Sequence, residues 1–282
     1  MFQNNEHLLH AAVARELAKQ MLSGELQPGA VLPDIETLGA RFGASRTALR
    51  EAIKILTAKG MVTSAPRVGV KVRPRRQWEL LDTDVMRWRI EVGLDREFIY
   101  DILTMRRIIE PGAVELAAEY ASDTALKRIR ALFQRLEATL DKDLDAFIIA
   151  DAHFHRGILL ASGSELLSQM EQLIEIAIIC VATSTAHIPG GSRLGMTVHG
   201  EIVDALEARE SKKAHWLMRD LVDMTVTKVG ELFEGTESEV TTRVGEVSAH
   251  ARRLLEIISS TRETTESLRS TAPYLDVIQK ET

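Results

Sequence analysis

At 282 residues with 45% apolar side chains, the chain is long enough for two domains and has ample material for a sizeable core. Its 27% charged residues are those of an ordinary globular protein, and the single cysteine, Cys180, excludes an internal disulfide framework and fits a reducing cytoplasm. Residues 1–23 interleave Glu6, His7, Arg15 and Glu16 with their apolar positions, unlike an exported leader. The most apolar run, 173–182, is too short for a bilayer and contains Glu175, so no membrane role is expected. The net charge of −6 is unevenly divided: residues 1–76 hold twelve Lys/Arg against six Asp/Glu, and the remaining 206 hold 23 against 35. A head of +6 on a body of −12 suggests a phosphate-facing module attached to an acidic partner domain.

In chain order, the first helix is expected over 7–23, with Leu8, Leu9, Ala12, Val13, Leu17 and Met21 at helical spacing and Gly24 as its stop. After the turn Gln27-Pro28-Gly29, Asp34 is placed as N-cap of a second helix running to Phe42. Gly43 and Ala44 break it, and Ser45 is placed as N-cap of a third helix, 46–59, closed by Gly60. Two short β-rich segments, 61–63 and 68–72, flank Pro66-Arg67 and predict a hairpin. Three helices followed by a hairpin make a winged helix-turn-helix. From Gln77 onward helices are expected at 82–92, 95–120, 122–141, 143–161, 163–187, 196–208 and 210–234, with Pro111 kinking the long one. Beyond 239, Val240, Val244, Val247, Ala251, Leu254, Leu255 and Ile258 fall at the spacing of one more amphipathic helix, or two. The fold class is thus mainly α: a winged head at 1–76, an all-α helical bundle at 77–238 and a helical extension at 239–282.

In the third helix Leu49, Ile53 and Leu56 form an inward stripe, while Arg46, Arg50 and Lys54 lie four apart on another face, with Thr47 in the first turn. A helix fits the major groove of duplex DNA, where an arginine can donate two hydrogen bonds to guanine O6 and N7. An isolated basic face of this kind is more often merely solvated. Its place in a helix-turn-helix-wing order favours the nucleic-acid reading.

The runs Gly24-Glu25-Leu26-Gln27-Pro28-Gly29, Leu38-Gly39-Ala40-Arg41-Phe42-Gly43 and Ser45-Arg46-Thr47-Ala48-Leu49-Arg50, with Leu56 and Gly60, resemble the signature of the GntR family of transcriptional regulators. The resemblance implies that Ser45, Arg46, Thr47 and Arg50 read the operator, with Lys54 on the same face and Arg67 at the wing tip. Two positions depart from it: Glu36, where the family often has Arg, and the wing tip Pro66-Arg67-Val68-Gly69, where it usually reads Pro-Gly-Arg-Gly. The body resembles the FCD-type ligand-binding domain of the FadR subfamily. The stretch from Gln77-Trp78-Glu79 to Met86-Arg87-Trp88 is particularly like galactonate-operon repressors and their relatives, and Arg106 and Glu110-Pro111 also fit.

Asp151 and His155 are one helical turn apart and share a face, and His199 opens a later helix. The resemblance implies that these three ligate a divalent metal (Zn, Ni or Mn) together with a second His on the last helix, a position held here by Leu221. Two readings stay open: a three-ligand metal site with free positions, or two histidines that bond an effector directly. Arg106 is expected either to aim at an effector carboxylate or to form a helix-surface ion pair with Glu110, and Lys228 is a second candidate for the carboxylate. His153 lies on another face. Trp88 and Trp216 are assigned to core or interface, and Cys180 to the core. The resemblance implies a homodimeric repressor of a carbohydrate-acid catabolic operon, bound to palindromic double-stranded DNA and released by a small sugar-acid-like carboxylate, without enzymatic activity. A metal-dependent hydrolase or a metal sensor using the Asp/His pocket is the alternative from another class.

Overall fold

In the computed structural model, residues 3–65 and 68–261 are described. The chain divides into two compact units, Met1–Val92 and Gly93–Thr282.

The first unit contains α1 (Gln3–Leu22), α2 (Ile35–Phe42), α3 (Arg46–Ala58), the antiparallel hairpin β1 (Val62–Ala65) and β2 (Gly69–Val72), and α4 (Thr83–Val92). Each short helix starts where a side chain can satisfy an orphan amide. Asp34 accepts from the Thr37 amide at 2.7 Å and Ser45 from the Ala48 amide at 3.1 Å. Gly43 ends α2 in the left-handed region, φ 61°, which bends the chain into α3. Gly60 ends α3 at φ 69°, and a Cβ there would stand 2.3 Å from the Gln77 carbonyl oxygen, so only glycine fits. The hairpin pairs Val62 with Val72 and Thr63 with Lys71, and Val31 adds a bridge to Lys71. Leu17 of α1, Leu38 of α2, Leu49 and Leu56 of α3 and Met61 close the core. This unit extends past residue 76 because α4 contributes Val85 and Trp88 to the same core, while Lys59 bonds Asp82 at 2.6 Å and Asp84 at 2.8 Å.

The second unit is all helix: α5 (Arg96–Tyr120), α6 (Asp123–Thr139), α7 (Leu144–Ala161), α8 (Glu165–Gln169), α9 (Glu171–Ala186), α10 (Met196–Glu207), α11 (Ser211–Gly230) and α12 (Glu237–Thr261). Helix α5 continues through the buried Pro111. The single helix expected over 163–187 is two, because the Met170 amide bonds back to Leu167 at 3.0 Å and tightens the turn between α8 and α9. Helix α9 is buried on every side from Leu173 to Thr185 and packs against α5, α7, α11 and α12. The apolar spacing beyond 239 produces α12, which buries Val247, Ala251, Leu254, Leu255 and Ile258. Its polar edge is tied to α7, where Asp145 accepts from His250 at 2.7 Å and from Arg253 at 2.8 Å. Expectations for 262–282 lie outside the described residues.

Candidate functional sites

On the first unit, the buried stripe of α3 is Ala48, Leu49, Ala52 and Leu56, and the opposite face shows Arg46, Thr47, Arg50 and Lys54 to solvent. The Ser45 cap places the start of this helix, and the hydrophobic spacing of the rest decides which side chains face out. The structure thus brings Arg46, Thr47, Arg50 and Lys54 together on one exposed surface, next to Ser45. Lys54 is paired with Glu51 at 2.7 Å and Arg46 with Glu36 of α2 at 2.6 Å. Arg67 lies outside the described residues.

In the second unit, Asp151 and His155 on α7 meet His199 near the start of α10, the meeting that i, i+4 spacing alone could only half supply. His199 Nε2 is 3.2 Å and His155 Nε2 3.6 Å from Asp151 Oδ1. His199 Nδ1 lies 2.8 Å from the Gly195 carbonyl, which can only accept, so Nδ1 carries a proton and Nε2 is the nitrogen turned toward the cluster. His155 Nδ1 lies 2.5 Å from Glu110 Oε2 on α5, and Arg106 Nε donates to the other Glu110 oxygen at 2.6 Å. Gly195 itself sits at φ 76°, and a Cβ there would strike Leu221 at 2.3 Å.

These groups are buried, and burial alone would push the carboxyls up and the imidazole down. The fixed charges outweigh it. Against that burial, Arg106 and His155 hold the Glu110 carboxyl at about 2, and the adjacent imidazoles of His155 and His199 hold Asp151 well below the usual carboxylate range. His155, despite the same desolvation, is raised to about 9 by the Glu110 charge and by Asp151.

Two buried atoms, Asp151 Oδ1 and His199 Nε2, have no hydrogen-bond partner among the described residues, since their mutual approach is not aligned for one. Buried polar atoms left this way cost free energy unless something occupies the space between them. The ligand atoms of Asp151, His155 and His199 all lie within 4.8 Å of one another. Donors on an ion held at about 2.0–2.2 Å stand roughly 3–3.5 Å apart, close to the 3.2 and 3.6 Å that separate Asp151 Oδ1 from the two imidazole nitrogens, so this donor set suits a divalent metal. Glu110 and the Gly195 carbonyl orient the two imidazoles as a metal site requires.

The cluster opens into a cavity of about 40 Å³, lined also by Arg106, Phe147, Thr185, Ser192, Leu221 and Thr225. The ion pair expected on the helix surface is buried instead: Arg106 bonds Glu110 inside the bundle, and it also lines the cavity. Leu221 faces the same space as an apolar wall. Lys228 is not brought to the cavity; its ammonium bonds Glu231 at 2.9 Å. His153 stands apart, 3.5 Å from Glu175. Cys180 is fully buried, with its thiol pushed up by desolvation, Trp88 is buried, and Trp216 is 60% exposed. The hold of Glu110 on His155 and that of the Gly195 carbonyl on His199 escaped the sequence, because the first joins residues 45 apart and the second uses a backbone oxygen.

Residues 9–72 match the family description "Bacterial regulatory proteins, gntR family", and residues 101–224 match the FCD domain. The Escherichia coli (strain K12) HTH-type transcriptional regulator YieP is 33% identical over 199 residues, covering 70% of this chain and 85% of that protein. The chain belongs to the GntR family and carries an FCD domain. Among other GntR relatives, the galactonate operon transcriptional repressor of E. coli is 33% identical over 154 residues, 55% of this chain and 67% of that one. A solved structure of Lar, from Listeria monocytogenes, shares the fold at 20% identity, with a TM-score of 0.56 and coverage of 79% of this chain and 97% of Lar. No helix among the described residues is long and apolar enough to cross a membrane. The matched GntR segment contains the whole exposed face of α3, and the matched FCD segment contains Arg106, Glu110, Asp151, His155, His199 and Leu221.

Proposed function

We propose that this GntR-family chain is a cytoplasmic, metabolite-responsive repressor that binds a palindromic operator as a homodimer and leaves it when a small carboxylate enters the FCD cavity. The observation that carries the sensor half is the pair of orphaned buried atoms, Asp151 Oδ1 and His199 Nε2, facing one space with His155. Asp151, His155 and His199 would hold a divalent ion such as zinc, nickel or manganese. Bound there, the ion would supply a Lewis-acidic anchor for a carboxylate. Arg106, on the wall of the same cavity, supplies a fixed positive charge toward such an anion, while Glu110 keeps that arginine and His155 in place. Leu221 leaves its side of the ion open to a ligand rather than closing the shell. In the head, Ser45, Arg46, Thr47, Arg50 and Lys54 form the operator-facing set, and Arg67 is assigned to the operator from the sequence.

The likeness to the galactonate operon repressor supports a sugar acid as effector. Two-fold pairing of half-sites by two heads accounts for a palindrome, and the effector acts by favouring one spacing of those heads over another. The test is a thermal-shift screen of the purified, zinc-loaded chain with aldonates, uronates and fatty acyl compounds, followed by gel shift on the upstream DNA of its own locus. A sugar acid that raises Tm and releases the DNA is the expected result. Stabilisation by none of the aldonates or uronates would overturn the effector assignment.

A further inference from the structure

We propose that Glu36 is a positioning residue of the DNA-reading surface: it clamps the Arg46 guanidinium in the orientation that reads a guanine and so sets base preference at one position of each half-site. The proposal rests on the reading of α3 as the operator helix. Glu36 lies in the first turn of α2 and Arg46 opens α3, and their side chains meet across the Gly43 turn, Oε1 to Nη2 at 2.6 Å. Both are far out in solvent, 78% and 74% exposed.

Three physical points lead from that contact to a role. First, an ion pair this exposed adds little to folding stability, so stability does not account for it. Second, Arg41 of α2 and Arg46, Thr47, Arg50 and Lys54 of α3 are all exposed, on the two helices read as approaching phosphates. A carboxylate there repels the DNA backbone and weakens binding to every sequence alike. The one acid on α3, Glu51, is paired with Lys54 of the same helix, whereas Glu36 reaches across from α2 to the residue that leads into the groove. Third, a guanidinium has five donors in a rigid fork. One bond to Glu36 through Nη2 leaves further donors for guanine O6 and N7, with the long side chain already held before contact. Within the groove, where water is displaced, the clamp strengthens. General affinity is thus given up for discrimination, which is how specific binders reject wrong partners.

The experiment selects from a random-core duplex DNA library with the full chain as wild type, Glu36→Gln, Arg46→Ala and the double variant, then measures affinities for the best site, its single-base variants and an unrelated duplex. Wild type is expected to enrich an inverted repeat with one G·C pair per half-site that depends on Arg46. Glu36→Gln should lower discrimination at that pair roughly tenfold, while affinity for the unrelated duplex rises a few-fold. In the Arg46→Ala background, Glu36→Gln should leave discrimination at that pair unchanged. Uniformly tighter binding to all duplexes with discrimination intact would overturn the proposal, as would an effect on discrimination of the same size without Arg46. If wild type enriches no sequence, the operator assignment of α3 falls as well, an outcome separate from either of these.

Discussion

The exposed face of α3 and the cluster at the heart of the FCD bundle solve opposite problems. The exposed α3 face comes from ten consecutive residues, 45–54, and its side chains stand in water with easily exchanged partners such as Glu36 and Glu51. The buried cluster draws Arg106 and Glu110 from α5, Asp151 and His155 from α7 and His199 from α10, and most of it is shut away from solvent. A surface that must meet a partner of fixed shape can be built locally, because solvent accepts any charge placed there. A site that must hold charge in a low-dielectric interior needs compensating groups from several elements at once, and each group becomes part of the fold. Damage in the two places should therefore look different: loss of binding with an intact fold in the head, loss of both in the body.

The largest effect is expected from Glu110→Ala. It leaves Arg106 and His155 buried without their anion, and urea denaturation of the metal-free chain should show a loss of about 3–5 kcal/mol. A loss below about 1 kcal/mol would mean that the network is not holding the bundle. Next, His199→Ala should lower zinc affinity at least about 100-fold, read by metal analysis after dialysis against a competing chelator, because it removes a ligand rather than a supporting group. Operator affinity in the absence of effector should hardly change.

In the head, Arg50→Ala should cost about 1–3 kcal/mol of operator binding, concentrated at one base pair, with Tm unaltered. Equal weakening on every sequence would reassign Arg50 to phosphate contact. The titration of His155 gives an effect of about tenfold in zinc affinity per pH unit between pH 6.5 and 8.5, weaker toward acid, since the ion must displace a proton held there up to about pH 9. The sign for stability runs the other way: the charged imidazole stabilises the metal-free fold fully below about 6.5, its unfolded value, and that contribution fades as pH rises through about 9. The zinc-induced rise in Tm should consequently grow with pH, and a flat profile would remove His155 from the ligand set. The smallest effect belongs to Ser45→Ala, which strips the cap from α3 at about 1 kcal/mol and should lower Tm by a few degrees.

How much of this was legible in the sequence follows the same division. The head was readable nearly to the residue: Asp34 and Ser45 announce their helices, Gly43 and Gly60 end them, and Leu49 and Leu56 fix which face of α3 turns outward. The hairpin's extent and the membership of α4 were not, because Val85 and Trp88 reach their core through tertiary packing rather than local pattern. In the body, helical periodicity located most elements but ran α8 and α9 together, since the break at Met170 comes from a backbone bond that no proline or glycine marks. Asp151 and His155 could be paired from their spacing. Their union with His199 and Glu110 depends on which helices pack, which α9 obscures because it is buried on all sides and shows no amphipathic face. Lys228 shows the converse, a cation on the right helix whose position near its end leaves it with Glu231 instead of the cavity.

Helix α12 has a practical consequence for anyone who wishes to isolate the sensor. The FCD match stops at residue 224, which invites a truncation soon after α11. Such a fragment would strip the cover from part of α9, whose buried run 173–182 is apolar but for Glu175, and would also free Asp145 from His250 and Arg253. Sticky, self-associating material is what an uncovered greasy strip of that kind yields. A cut placed after Thr261 keeps the covering and should give a monodisperse sensor.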